Sequence, residues 1–198
     1  IRLENTTTGC FDTTTLELLV NPLPVIPTIE VYELCDYTNS GDLQEVFDLN
    51  TKDSEIIDGQ NVSVAYFETE TDATNNSNEL TGTYQNTSTP QTLYVALTDL
   101  TTGCRATGSF ELIINALPTT TTMSVLTICD DDTDGLGAFM LTSKDSEALG
   151  GQTGVTVSYH ETQSDADTNA SPLSSPYTNT TPNSQIIFIR LENNTTAC

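Results

Sequence analysis

The sequence has no tryptophan, one histidine, two methionines and five lysines plus arginines, against 28 aspartates and glutamates in 198 residues. The scarcity of positive charge leaves a formal net charge of −23, which excludes nucleic-acid binding by phosphate neutralisation and attraction to an anionic membrane surface. No apolar run approaches the roughly 20 residues of a spanning helix. No secretory leader is present, and the chain opens inside a strand pattern, as an excerpt of a longer protein does. The motifs of catalysis are missing as well: no G-x-S-x-G, no glycine-rich phosphate loop and no HExxH. The lone histidine, His160, has Phe67 at the matching place of the internal repeat described below, and a position that accepts Phe is poorly suited to a general base. Carboxylates are plentiful, but no spacing singles out a catalytic pair. No enzymatic activity is expected.

What the sequence does have is a long internal repeat. Cys10, Cys104 and Cys198 are evenly spaced, 104 − 10 = 94 and 198 − 104 = 94, and Cys35 and Cys129 are again 94 apart. "IRLENTTTGC" (1–10) matches "VALTDLTTGC" (95–104) and "IRLENNTTAC" (189–198). "NPLP" (21–24) matches "NALP" (115–118), and "KDSE" stands at 52–55 and 144–147. A fixed period of this length means tandem domains, each large enough to bury its own core, unlike solenoid repeats of 20–50 residues. The expected organisation is the C-terminal strands of a preceding repeat at 1–24, a complete repeat at 25–118, and a repeat lacking its last strand at 119–198. The joints "NPLPVIPT" and "NALPTTTT" read as short, semi-rigid linkers.

Within each unit the hydrophobic period is two. Leu93, Val95 and Leu97 alternate with Tyr94, Ala96 and Thr98, and Ile187, Ile189 and Leu191 repeat the phase. Phe110, Leu112 and Ile114 share a face, as do Leu16, Leu18 and Val20; Val62, Val64 and Tyr66 are matched by Val155, Val157 and Tyr159. These segments predict antiparallel strands with one polar face, with two more strands near 29–35 and 45–50. "KDSEIIDG" and "KDSEALGG" predict helical turns ended by glycine, and the polar loops from Glu70 and Glu161 have room for a short helix. Six or seven short strands per 94 residues predict an all-β fold of tandem immunoglobulin-like β-sandwiches, with a small barrel as the alternative.

Two cysteines per unit in a small β-domain predict one disulfide per repeat, since no Cys or His lies at zinc-ligand spacing. The simplest pairing is within units, Cys35–Cys104 and Cys129–Cys198, with Cys10 bonded to an upstream partner. Each bond would close a loop worth roughly 4 kcal/mol of chain entropy. A pairing across the joint, Cys10–Cys35 with Cys104–Cys129, fits the spacing too. The within-unit pairing is the preferred expectation.

After Cys129 comes "DDDTDG", with D-x-D-x-D-G at Asp130, Asp132, Asp134 and Gly135. This is the opening of a calcium loop, in which alternate oxygens face one ion and glycine permits the sharp turn. Position twelve, where an EF-hand places a bidentate Glu, is Leu141, so the loop is not an EF-hand. Calcium is expected at Asp130, Asp132 and Asp134, with Asp131, Asp145 and Glu147 as further candidate ligands. The twin loop offers Asp36, Thr38, Ser40 and Asp42 around Gly41; with less charge it should bind calcium more weakly or not at all. Asn5, Asn61, Asn75, Asn86, Asn169, Asn179, Asn193 and Asn194 head N-x-[ST] triplets, a frequency expected by chance in so Asn- and Thr-rich a chain.

The ordered set "CDDDTDG", "LTSKDSEALGGQ", "VTVSYHETQSDAD", "SSPYTNTTPNSQ", "IRLENTTTGC" and "TTTLELLVNPLP" resembles the tandem repeats of very large Bacteroidetes (Flavobacterium-type) cell-surface adhesins associated with gliding motility and type IX secretion. "DTT" at Asp12–Thr14 resembles the short O-glycosylation motif of secreted proteins of that phylum. The resemblance covers essentially the whole chain. It implies immunoglobulin-like modules strung into an extracellular, cell-surface filament whose partners are neighbouring repeats of the same chain, other copies in a filament, or surface glycans and substrata. It also implies calcium at Asp130, Asp132 and Asp134. The expected role is a disulfide-stapled, calcium-stiffened stalk. Two alternatives are a glycan-binding module with Tyr94 and Phe67 as exposed stacking surfaces, and the subunit of a polymer in which a strand of one chain completes a neighbour.

Overall fold

A computed structural model describes all 198 residues. In chain order the first strands are β1 (Arg2–Glu4), β2 (Phe11–Thr13), β3 (Tyr32–Cys35), β4 (Val46–Asp48), β5 (Val62–Phe67) and β6 (Thr83–Gln85). They are followed by β7 (Gln91–Asp99), β8 (Arg105–Asn115), β9 (Ala138–Phe139), β10 (Val155–His160), β11 (Tyr177–Thr178) and β12 (Phe188–Asn193). Four short helices interrupt them: α1 (Asp53–Ile57), α2 (Glu70–Asn75), α3 (Asp145–Leu149) and α4 (Gln163–Thr168). The chain is therefore a pair of tandem β-domains carrying a few helical turns. It gathers into two compact units, one of Ile1–Glu30, Asp48–Tyr84 and Thr92–Glu111, the other of Val31–Phe47, Gln85–Gln91 and Leu112–Cys198.

In the first unit β5 and β7 pair antiparallel, from Val62 opposite Asp99 to Phe67 opposite Tyr94. The period-two pattern decides what they bury: Leu93, Val95 and Leu97 are fully enclosed, and Tyr66 meets Phe110 edge to face at 6.1 Å. The other face is not polar. Phe67 and Ala96 are fully buried with Ala73 of α2, a helix begun by Thr69, whose hydroxyl oxygen accepts the Asp72 N–H at 3.0 Å. Phe67 is thus no exposed stacking surface, and Tyr94 is half-buried against the same cluster. α1 follows a 3-10 turn at Leu49–Lys52 and ends on Asp58 in the left-handed region, φ +44°.

One predicted strand is absent. Leu16, Leu18 and Val20 lie outside any strand and are 66, 85 and 92 % exposed. Alternation specifies a strand only where a ladder partner and an apolar cover exist, and this segment has only the three-residue β1–β2 pairing before it.

In the second unit β3 runs parallel, not antiparallel, to the end of β8, with Tyr32 opposite Leu112 and Cys35 opposite Asn115. The two strands are far apart in sequence, so no hairpin constrains their direction. Phe47 is enclosed and meets Tyr32 edge to face at 4.9 Å. β10 and β12 pair antiparallel from Val155 opposite Asn193 to His160 opposite Phe188. β12 has β10 as its only ladder neighbour, whereas its twin β7 sits between β8 and β5 in the order β3-β8-β7-β5. The same pattern therefore buries less: Ile187, Ile189 and Leu191 are half-buried.

Candidate metal loop and inter-repeat disulfide

The loop after Cys129 is shaped by its own aspartates. One oxygen of Asp130 accepts the Gly135 N–H at 2.9 Å, and the other accepts Thr133 N–H at 2.8 Å and Asp132 N–H at 3.2 Å. Asp132 in turn accepts from Asp134 N–H, and Asp134 from Leu136 N–H at 2.7 Å. Chain reversal rests on Gly135, at φ +80°, where a Cβ would sit 2.9 Å from the Asn183 nitrogen. Asp130, Asp132 and Asp134 bring one carboxylate oxygen each within 4.8 Å of one another on an exposed surface. The N–H groups of Gly135 and Thr133 hold the Asp130 carboxyl below the usual carboxylate range.

The remaining predicted ligands are elsewhere. Asp131 stands outside the cluster. Asp145 accepts the Tyr159 hydroxyl at 2.7 Å, and burial together with that carboxylate pushes the phenol well above its usual range. Glu147 takes the Lys144 ammonium at 2.7 Å and the Ser124 hydroxyl at 2.9 Å, with its carboxyl held down to about 2 by those partners. The complete repeat makes the same contacts with Asp53 to Tyr66 at 2.7 Å and Lys52 to Glu55 at 2.8 Å. Both "KDSE" turns are therefore devices that dock a helix end to the sheet.

At 36–42 the frame is kept and the charge is not. Asp36 accepts Gly41 N–H at 2.5 Å, the counterpart of the Asp130 to Gly135 bond, but it is buried, and its second oxygen has no partner. Thr38 donates its N–H to Glu45, Asp42 accepts from Gln44 N–H at 2.9 Å, and Ser40 is exposed. No cluster of three carboxylates forms there.

Asn179 and Asn86 decide where these loops lie. The Asn179 amide donates to the carbonyls of Gly135 at 3.0 Å and Thr181 at 2.8 Å, while its oxygen accepts Gly137 N–H at 2.7 Å. Asn86 does the same with Leu43 and Ser88 carbonyls, both at 2.9 Å, and with Glu45 N–H at 2.7 Å. Both are almost completely buried. They head N-x-[ST] triplets that read as chance, and only their recurrence before Thr in both repeats hinted at a shared clamp.

His160 is also structural. It is fully buried, with Nδ1 hydrogen-bonded to the Ala170 carbonyl at 2.8 Å and Nε2 to the Ser158 hydroxyl at 2.9 Å.

The cysteines correct the expected connectivity. The structure bonds Cys35 to Cys198, and Cys10, Cys104 and Cys129 are free thiols. Neither Cys35–Cys104 nor Cys129–Cys198 forms, and neither does either joint pairing. Cys35 is opposite Asn115, the last residue of β8, whereas Cys104 immediately precedes its first, Arg105. Eleven extended residues span roughly 36 Å, far beyond the roughly 7 Å that a disulfide tolerates between Cα atoms. Both cysteines lie in the compact unit that includes Val31–Phe47 and Leu112–Cys198, and by the sequence period the bond ties a cysteine of one repeat to a cysteine of the next. It joins the two recurrent classes of cysteine: Cys35 shares its place with Cys129, and Cys198 shares its place with Cys10 and Cys104.

A family model described as the Flavobacterium inter-domain disulphide bond domain matches residues 31–118 and again 125–198. No curated protein and no solved structure matches the chain.

Proposed function

Because the chain belongs to the Flavobacterium inter-domain disulphide bond domain family, carrying two copies of that domain, we propose that it is a non-catalytic structural segment of an extracellular adhesin stalk or surface filament, of the gliding-associated, type IX-secreted kind, serving cell-surface attachment. The observation that carries this reading is the bond between Cys35 of one repeat and Cys198 of the next. A covalent tie from domain to domain limits how far a tether extends under load, and disulfides of this kind persist in oxidising compartments. Each repeat is read as immunoglobulin-like, which the short strands, the β4–β6 pair and the four-stranded β3-β8-β7-β5 sheet support.

Calcium is the ion assigned to Asp130, Asp132 and Asp134. It is a hard cation that takes carboxylate oxygens, and neutralising three crowded charges would fix the loop. The loop at 36–42 is read as metal-free, its shape held by Asp36, Gly41 and Asn86. A glycan-binding role is disfavoured because Phe67 is fully enclosed and Tyr94 is half-buried.

Thermal unfolding of the chain in calcium and in chelator tests the metal assignment. The expected result is a lower midpoint in chelator for one transition only, abolished by Asp132→Asn with Asp134→Asn. An unmoved midpoint refutes the calcium assignment. A glycan array with saturable binding would refute the purely structural role.

A further inference from the structure

The segments after "NPLP" and "NALP" read as linkers, yet each is fastened to the repeat it leads into. Gln60 takes both backbone groups of Val25: its Oε1 accepts the Val25 N–H at 2.9 Å and its Nε2 donates to the Val25 carbonyl at 2.8 Å. Gln152 holds Thr119 in the same way, at 2.9 and 2.8 Å. Each glutamine is itself set by the helix before it, because the same Nε2 donates to the last carbonyl of α1, Ile57 at 3.3 Å, or of α3, Leu149 at 2.9 Å. A second fastening follows at Glu30 and Ser124. Glu55 accepts the Glu30 N–H at 2.5 Å while Lys52 donates to the Glu30 carbonyl at 2.9 Å. Glu147 accepts the N–H and the hydroxyl of Ser124, and Lys144 donates to that hydroxyl at 2.5 Å.

The two repeats keep the fastening and not the segment it holds. Lys, Glu and Gln recur together, since 144 − 52, 147 − 55 and 152 − 60 all equal 92. The held segments are "VIPTIE" at 25–30 and "TTTTMS" at 119–124, which share only Thr28 with Thr122. Most of the contacts are to backbone N–H and C=O groups, which any extended segment presents. Close approach is provided for as well: a Cβ on Gly108 of β8 would sit 2.6 Å from Ile26 Cγ2, and one on Gly150 would sit 2.8 Å from Thr121 Cγ2. Thr119, Thr120, Thr121, Thr122 and Ser124 are nevertheless exposed. The segment is therefore held by surface hydrogen bonds and one ion pair with little apolar burial, the condition for opening locally while the core stays folded.

We propose that 25–30 and 119–124 are straps, and that Gln60 with Glu55, and Gln152 with Glu147, are latches that open without unfolding the sheets and so give the joint a short and a long form. β8 ends at Asn115. With the latch closed on Thr119, the run between strand and strap is 116–118; with it open, the run extends through 124. The joint then changes from three residues to nine at the cost of a few surface hydrogen bonds. Because the latch grips backbone, the strap sequence is free to vary between repeats while the device is kept. The strap is a property of each repeat and stands whether or not the chain serves as a stalk. In a stalk it would set how freely the joint bends, and a failure of the stalk reading would leave the readouts below unchanged.

Residue-resolved amide hydrogen exchange of the 198-residue chain tests the latch. Val25 and Thr119 amides should exchange at least about tenfold more slowly than in an unstructured peptide, the effect of a pair of hydrogen bonds. Low urea should leave these rates unchanged while it speeds exchange in β7, the signature of local opening. Gln152→Ala should release Thr119 by about tenfold and leave Val25 protected, and Gln60→Ala should do the converse. Gly108→Ala, which crowds Ile26 and leaves the latch residues in place, should raise exchange at Val25 alone. Proteinase K should cut the wild type first within 116–118, and Glu147→Ala/Gln152→Ala also within 119–124. Thr119 exchanging at the peptide rate in the wild type, protection that survives Gln152→Ala, or Thr119 exchange that follows global unfolding in urea would each overturn the proposal. Should Gln152→Ala unfold the chain, the urea dependence of the wild type still decides.

Discussion

Removing the Cys35–Cys198 bond should cost this protein more than any other single change. The cysteines are 163 residues apart, and in the loop-entropy description a closure of that length stabilises the folded state by roughly 5 kcal/mol. Cys35→Ser removes the bond at a half-buried strand end and leaves the packing nearly unchanged. For a chain of this size that corresponds to a fall in midpoint of about 10–20 °C. The assay compares oxidised wild type, wild type with reductant, and Cys35→Ser in thermal and urea unfolding, with Cys104→Ser as the control, since Cys104 is a free thiol. Pulled from its ends, the oxidised chain should withhold about 590 Å of contour length until reductant is added. The reasoning is refuted if Cys35→Ser unfolds with the wild type, or if Cys104→Ser causes the same loss.

Asn179→Ala removes three hydrogen bonds from a buried clamp and should cost about 2–3 kcal/mol, with faster hydrogen exchange at Gly137; Asn86→Ala should do the same at Glu45. His160→Phe should stay within about 1 kcal/mol of wild type in urea titration, because Phe67 fills the same buried position in the other repeat. Glu147 is held down to about 2, and Glu55 is also lowered, each chiefly by its lysine. Depressed carboxyls stabilise above their unfolded pKa, so stability should hold from pH 7 to about 5 and fall toward pH 2, and Glu147→Gln should flatten that fall in a series of unfolding midpoints.

The repeat and most of its elements were legible because they are local. Period-two alternation at Leu93, Val95 and Leu97 fixed a strand and its buried face, and "KDSE" marked the first helical turn of each repeat. What was not legible depends on partners distant in sequence. The alternation at Leu16, Leu18 and Val20 is as regular as that at Phe110, Leu112 and Ile114, yet only the second finds a sheet. Phe67 and His160 share a face that alternation alone assigns to solvent, and α2 and α4 accompany their burial. At the candidate site, the three aspartates were readable from spacing. Asn179 was not, because its partners at Gly135 and Gly137 are more than forty residues away. The disulfide failed for the same reason: spacing names the two classes of cysteine, while the parallel pairing of β3 with the far end of β8 decides which members can meet.

Peptide mapping without reduction tests the central claim, that the disulfide joins repeat to repeat. The five basic residues, Arg2, Lys52, Arg105, Lys144 and Arg190, make trypsin place Cys35 in peptide 3–52, Cys104 in 53–105, Cys129 in 106–144 and Cys198 in 191–198. The account predicts 3–52 linked to 191–198, with a second cut between Cys10 and Cys35 leaving the link on Cys35. Recovery of 3–52 joined to 53–105, together with 106–144 joined to 191–198, would contradict it.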